Sequence, residues 1–314
     1  MATPLLRALR TSLPKERLVV AGSPAFEPLL EGLNYFDQFL PLPLGKGLGR
    51  ITAEAEALKS VRAKRIFILP NSWASALAAK RAKIEERIGR GNIGRGLFLT
   101  RTLPPARNPR PMTEIYYEMG ATSTTVLGPV KLSRPKDAEP KSIFGVAPGA
   151  AFGPSKIYPI NLLAAAVQKA SEASRLTPRI IGAPKEAPLL KEVGDNLKSL
   201  GVRIDEDSGP CPDLAAARYS ISECQSLLCM DSGARHIAAG LGVPQVVLYG
   251  PTEPEWTAHG TKNFTPLRES EEEVPCLGCH KTDCPINHPC MQKIEPETVA
   301  DAIVARLKNN PGSE

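Results

Sequence analysis

Aromatic residues make up only 5% of this 314-residue chain, and its basic residues are not interleaved with them. A protein that grips single-stranded nucleic acid by stacking needs that interleaving, so the reading excludes a nucleic-acid partner. No apolar run approaches the roughly 20 residues that span a bilayer. The opening MATPLLRALRTSLPKERLVV is broken by Arg7, Arg10 and Pro14 and lacks the continuous apolar core of a signal peptide. The expected compartment is therefore the cytoplasm. Cysteine is scarce and odd in number: of seven, Cys211, Cys224 and Cys229 are scattered, which is no framework for a secreted disulfide fold. A Walker A sequence is missing, which removes the P-loop hydrolases.

A hydrophobic content of 42% and a charged content of 23% describe a globular protein, and the length allows two ordinary domains. The net charge of +6 is concentrated between Lys80 and Arg110, where Glu85 and Glu86 are the only acids. Such a run is either a solvated face or a site for an anionic partner. The remaining four cysteines, Cys276, Cys279, Cys284 and Cys290, crowd into CLGCHKTDCPINHPCM. Their spacing suits a small zinc site or a metal-free loop equally well.

Strand and helix patterns alternate along the chain. The first half reads as helix Pro4–Leu13, strand Leu18–Ala21, helix Ala25–Gly32, strand Tyr35–Leu40, helix Ile51–Arg62 and strand Arg65–Leu69. The second half reads as strand Ser142–Ala147, helix Asn161–Ala173, strand Arg179–Ile181 and helix Ala187–Leu200. A strand–turn–helix–strand unit follows in LLCMDSGARHIAAGLGVPQVVLYGP, and a last helix spans Pro296–Leu307. The charged, Pro-containing VKLSRPKDAEPKS, Val130 to Ser142, is the candidate linker. This pattern predicts two doubly wound α/β domains with parallel sheets, over 1–135 and 142–314.

In open parallel sheets, ligands bind just beyond the carboxyl ends of the strands. In the second half those loops hold neither a Walker A sequence nor G-x-G-x-x-G. They offer PGAAFGPSKIYP with Gly149 and Lys156, GAPKEAP with Glu186, and Met230-Asp231-Ser232-Gly233. Small residues let a ligand approach the backbone, and a lysine beyond them is a counter-charge for phosphate. Asp231 or Ser232 caps the helix ARHIAAGLG, whose N-terminal N–H groups and dipole favour an anion. His236, four residues after Ser232, lies on the same face. Together these loops predict a nucleotide-diphosphate site.

The combination of VAPGAAFGPSKIYP, MDSGARHIAAGLGVPQVVLYGPTEPEW, CLGCHKTDCPINHPCM and IEPETVADAI resembles glycosyltransferase family nine, the ADP-heptose:lipopolysaccharide heptosyltransferases, with heptosyltransferase II as the nearest branch. LPLGKGLG and ILPNSWASAL in the first half are similar to the same branch. The resemblance implies a GT-B fold, two Rossmann-like domains facing across a cleft, and inverting transfer of heptose from ADP-heptose without metal or cofactor. It implies an acceptor on lipid A, bound by the N-terminal domain, with contact at the inner membrane surface. Kdo carboxylates and core phosphates are anionic and match the basic run. It assigns donor binding to Gly149, Asp231, Ser232, Gly233, His236 and Glu186, and charge stabilisation on the departing ADP to Lys156. Where the family usually has a basic or polar residue and then Trp, this chain has Ile157-Tyr158. That departure bears on sugar selection.

Two other readings stay open: a relative using another nucleotide sugar, and an inactive protein that keeps the ADP-sugar site. The second gains from the opening helix, which has no strand before it. The resemblance places the first strand of the N-terminal domain, and the Asp that serves as base, upstream of Met1. Residues 1–314 are accordingly expected to be poorly soluble or inactive. An in-frame extension of about 15–20 residues is expected to restore activity, since a strand takes some 5–6 residues and its turn several more.

Overall fold

In the second half, short runs of Val, Ile and Leu bounded by Gly and Pro become strands buried on both faces, as parallel strands under helices must be. The structure is a computed structural model describing residues 1–106, 108–258 and 263–308. The chain divides into two compact units, Met1–Val130 and Lys131–Glu314.

Unit 1 carries α1 (Thr3–Ser12), β1 (Val19–Gly22), β2 (Gln38–Pro41), α2 (Gly47–Ser60), β3 (Arg65–Ile68), α3 (Trp73–Arg81), β4 (Glu86–Arg90), β5 (Arg101–Leu103) and α4 (Met112–Tyr117). All its strand pairs are parallel, but they form two separate sheets, β1–β2 and β3–β4–β5. Val19 of β1 and Ile66 of β3 nevertheless pack against one cluster, built on Ile51, Ala55 and Leu58 of α2 and Ala78 of α3. Thus β1 and β3 share a helical layer, and among the described residues each pairs along one edge only.

The helix expected over Ala25–Gly32 is instead two single 3-10 turns, Pro24–Phe26 and Pro28–Leu30. Pro28 has no N–H to give and its ring blocks the preceding turn, so an α-helix cannot run through. GRGNIGRG, from Gly89 to Gly96, has dinucleotide-type glycine spacing after a strand. It runs into a 3-10 turn, Arg95–Phe98, and then β5, with no helix to hold a pyrophosphate.

Unit 2 contains β6 (Ile143–Ala147), α5 (Ile160–Ser174), β7 (Thr177–Gly182), α6 (Ala187–Ser199), β8 (Gly209–Pro210), α7 (Leu214–Ser222), β9 (Leu227–Met230), α8 (Gly233–Leu241), β10 (Gln245–Leu248), α9 (Pro254–Thr257), β11 (Phe264–Leu267), α10 (Pro289–Gln292) and α11 (Pro296–Lys308). Its six strands lie in the order β11-β10-β9-β6-β7-β8, all parallel. Phe144, Val146, Leu228, Met230, Val246 and Leu248 point into the core that α5, α6 and α11 cover. Burial of each such side chain is worth about 1.5–3 kcal/mol. On the other face Gly145 is required, because a Cβ there would meet Leu227 at 2.7 Å and Cys224 at 3.1 Å.

The stretch read as a linker, Val130 to Ser142, belongs to unit 2 from Lys131 onward. Leu132 donates its N–H to Gly240 O at 2.7 Å, and Leu132 and Ala138 are buried. Gly240 lets this happen, since a Cβ would strike Leu132 at 2.6 Å.

From β6 the chain winds outward through β7 to β8, then crosses back to β9 and winds the other way to β10 and β11. The order reverses between β6 and β9. Loops leaving those two strands diverge and leave a crevice, which is where doubly wound sheets bind ligands.

Candidate functional site

Lys156 reaches the crevice from the β6 side. Gly153, at φ 153°, turns the chain into a 3-10 turn over Pro154–Lys156. Ser155 anchors that turn, donating its N–H to Thr282 O at 3.1 Å and its hydroxyl to Lys281 O at 2.6 Å. Tyr158, fully buried, closes the loop by donating its hydroxyl to Ile294 O at 2.5 Å. Tyr158 is therefore a core anchor, and the departure at Ile157-Tyr158 bears on packing; it puts no hydroxyl against a sugar.

From the β9 side come Asp231, Ser232 and Gly233. Lys156 Nζ donates to Asp231 Oδ2 at 2.5 Å and to Asp231 O at 3.1 Å, with side chains 8% and 6% exposed. Thr252, in the loop after β10, donates its hydroxyl to Asp231 Oδ2 at 2.9 Å, and Arg235 Nη1 lies 3.6 Å from Asp231 Oδ1. Burial by itself raises the Asp231 pKa. The Lys156 hydrogen bond and charge, Thr252 and Arg235 outweigh it, so the carboxyl titrates below its ordinary range. Phe152 lies 4.8 Å below Lys156 Nζ, adding a cation–π contact. Two of the three ammonium hydrogens are committed to Asp231, which leaves one direction for a ligand oxygen.

Ser232 is the N-cap of α8, yet its side chain makes no capping hydrogen bond, so the first N–H groups of α8 are not satisfied by it. A Cβ built on Gly233 would meet nothing within 4 Å. At the far end Gly242, at φ 75°, donates back to Ala239 O and stops the helix, as its sequence predicts. His236 is partly buried one turn in. Burial and then the Arg235 charge push its imidazole down to about 3, so it is neutral at physiological pH. A neutral ring offers a hydrogen bond here and no charge.

Gly149 and Glu186 form a second group, one strand over. A Cβ on Gly149 would meet the Glu186 carboxylate at 2.3 Å, so any larger residue would have to displace that carboxylate. Glu186 already accepts from the Ala183 N–H at 2.7 Å, closing its own turn. One of its oxygens is therefore structural.

Arg235, Thr252 and Tyr249 carry no signal in the sequence analysis. Arg235 is fully buried, donates to Tyr249 Oη at 2.7 Å and lies 4.7 Å from the Phe264 ring. Its position four residues after Asp231, on one helix face, was the available clue.

The cysteine segment is a wall of this site. His280 Nε2 lies 3.3 Å from Glu253, the Trp256 indole donates to Glu253 at 2.9 Å, and a Cβ on Gly250 would meet Met291 and Cys290. Burial first, then the other three thiols, push Cys290 up to about 11. Among the described residues no three His, Cys, Asp or Glu side chains are grouped as a metal requires, so the zinc reading gains no support.

Part of the basic run faces inward, while Lys80, Arg81, Lys83 and Arg101 are exposed. Arg95 is fully buried, donating to Ser72 O at 3.1 Å and Pro70 O at 2.7 Å, and Arg87 donates to Phe98 O at 2.8 Å. Arg87 and Arg95 tie strand ends together through backbone carbonyls. Arg107 lies outside the described residues.

A lysine–aspartate pair at the reversal point, beside an open helix N-terminus, is suited to a diphosphate. The profile of Glycosyltransferase family 9 (heptosyltransferase) matches residues 51–286. Lipopolysaccharide heptosyltransferase 2 of Escherichia coli K12 is 29% identical over 289 residues, covering 82% of this chain and 80% of that protein. Lipooligosaccharide heptosyltransferase 2 of Haemophilus ducreyi is 27% identical over 295 residues, covering 85% and 84%. Among solved structures, E. coli ADP-heptose lps heptosyltransferase II superposes with a TM-score of 0.75 at 21% identity, covering 98% of this chain and 94% of that one. A family 9 glycosyl transferase from Veillonella parvula gives 0.80 at 18% identity, covering 98% and 92%. With three quarters of its length inside the family profile, this chain belongs to glycosyltransferase family 9 and is a glycosyltransferase.

Proposed function

We propose that the protein transfers heptose from ADP-heptose to the lipopolysaccharide inner core on lipid A, with inversion at the anomeric carbon. The observation that carries this reading is the Lys156–Asp231 pair beside the open N-terminus of α8. The names of the relatives, lipopolysaccharide and lipooligosaccharide heptosyltransferases, support the donor sugar and the acceptor class.

An acceptor hydroxyl attacks the anomeric carbon, its O–C bond forms as the bond to the ADP oxygen breaks, and the hydroxyl proton passes to a base. Negative charge grows on the departing diphosphate. The N–H groups of α8 and the Lys156 ammonium meet that charge from fixed positions. Gly149 leaves room for the Glu186 side chain, and Glu186, with one oxygen committed to Ala183, presents the other to the ribose hydroxyls.

No helix among the described residues is long and apolar enough to cross a membrane. The acceptor's lipid anchor therefore implies contact with the membrane surface from the cytoplasmic side.

The donor is tested by thermal unfolding with nucleotide sugars. A ligand at 100 times its Kd stabilises by about 2.7 kcal/mol, so ADP-heptose at that excess is expected to raise Tm by several degrees while UDP- and GDP-sugars leave it within about a degree. An equal response to UDP-glucose would move the protein to a different donor.

A further inference from the structure

Glu253, one residue beyond the Thr252 that bonds Asp231, puts a carboxylate beside a site suited to phosphate. Like charges repel at short range, so a carboxylate in that position calls for a hydrogen-bond donor. Glu253 is the N-cap of α9, yet its side chain caps nothing there. One oxygen, Oε2, is taken instead: the Trp256 indole donates to it at 2.9 Å, and His280 Nε2 lies 3.3 Å away. Among the described residues the other oxygen, Oε1, has no hydrogen-bond partner, and the side chain is 28% exposed. Gly278, at φ 71°, leaves Oε1 uncovered, since a Cβ there would lie 2.9 Å from it.

The surrounding chain holds this carboxylate in place. His280 sits in the left-handed region at φ 52°, uncommon for a residue with a side chain, and donates its N–H to Pro251 O at 2.9 Å. Just beyond it, Lys281 O accepts the Ser155 hydroxyl at 2.6 Å and Thr282 O accepts the Ser155 N–H at 3.1 Å. Residues 278–282 thus join the loop that carries Glu253 to the loop that carries Lys156. The cysteine-rich segment is the strap between them.

Strand order gives the site a direction. The sheet runs β10-β9-β6-β7, with neighbours about 4.8 Å apart. Asp231 and α8 follow β9, and Lys156 follows β6, so the diphosphate proposed above belongs over this middle pair. Glu186 follows β7 on one flank, and Glu253 follows β10 on the other. A nucleotide sugar is likewise a nucleoside, a diphosphate and a sugar in succession. With the ribose at Glu186, the sugar falls on the Glu253 flank. The geometry points to Glu253 as a specificity-determining residue for the donor, its Oε1 accepting a hydroxyl of the transferred sugar. This assignment rests on the donor placement under the proposed function.

Calorimetric titration of the full chain with two ligand pairs, ADP with ADP-heptose and UDP with UDP-glucose, tests it. Glu253→Ala is expected to weaken ADP-heptose about tenfold to a hundredfold, the loss of one hydrogen bond to a charged group. ADP itself, which has no sugar, is expected to bind the variant as well as wild type or up to about threefold tighter, because a repelling charge is gone. Glu253→Gln keeps an acceptor for the Trp256 indole and is expected to weaken ADP-heptose about threefold to tenfold with ADP unchanged. A residue that merely props up the wall would weaken both ligands alike, and that result overturns the assignment. Wild-type ADP-heptose affinity in Glu253→Ala overturns it too. A selective loss of UDP-glucose over UDP, in a protein that does not bind ADP-heptose, would keep Glu253 as the sugar contact and remove ADP-heptose as the donor.

Discussion

Replacing Lys156 with Ala is expected to lower kcat by about 10²–10³ while ADP affinity changes by less than about tenfold, the signature of a group that acts on developing charge. The geometry requires the asymmetry. In the unliganded protein the ammonium is already committed to Asp231 through two bonds, so ground-state donor binding gains only its remaining hydrogen. When the sugar–diphosphate bond breaks, the leaving oxygen acquires charge and that contact strengthens in a site where water is scarce. The fold should survive the change, because Asp231 retains the Thr252 hydroxyl at 2.9 Å and Arg235 at 3.6 Å. Lys156→Arg should recover little, since the planar guanidinium cannot occupy the pocket above Phe152 that fits a compact ammonium. Steady-state rates alongside calorimetric ADP affinity check this, and unchanged turnover would remove Lys156 from the mechanism.

Asp231→Ala should do the opposite, harming the fold more than the chemistry. It strands Lys156 and Arg235, both buried, without their shared counter-charge. Breaking a buried pair in this way costs about 3–5 kcal/mol. For a unit of this size that is a Tm lower by roughly 6–20 °C. Asp231→Ala combined with Lys156→Ala should be less destabilising than the sum of the two single changes, because the double variant leaves a smaller uncompensated charge. The pH dependence has a definite sign. The Asp231 carboxyl is held below its ordinary range, so its contribution is fully present above the unfolded value of about 3.9 and is lost as pH falls through the lower folded value. Wild type should therefore lose stability faster than Asp231→Asn over that acid window. Equal thermal stability of wild type and Asp231→Ala at neutral pH would show that the pair does not hold the crevice together.

Unit 2 was legible because its local signals agree. Leu227–Met230 and Gln245–Leu248 are short apolar runs, Ser232 and Gly242 bracket α8, and helices α5, α6 and α11 lie where their patterns place them. Unit 1 was harder to read. Pro24 and Pro28 break a helix that apolar content alone allows. Helix α3 buries Ala76, Ala78 and Ala79, whose small side chains give a weak periodic signal. Arg90 and Arg95 lie in a basic run that looks solvated, and only the carbonyls of Pro70, Ser72, Pro104 and Ile115, brought together by the fold, explain their burial. The site shows the same division. Lys156, Asp231, Ser232 and Gly233 follow from loops at strand ends, whereas Thr252 becomes a partner of Asp231 only when β9 and β10 pair side by side.

The central claim is that the N-terminus of α8 receives the diphosphate, and Gly233→Val tests it most directly. In the protein alone a Cβ at Gly233 meets nothing within 4 Å, so the substitution should leave Tm within about 2 °C, the cost of a weaker helix former at one end. A ligand phosphate lying against that backbone, however, would collide with the valine methyl groups. Calorimetric titration with ADP is therefore expected to show an affinity at least about tenfold below wild type, a loss of 1.4 kcal/mol or more. Wild-type ADP affinity in a folded Gly233→Val protein would contradict the account, because it would place the diphosphate away from α8.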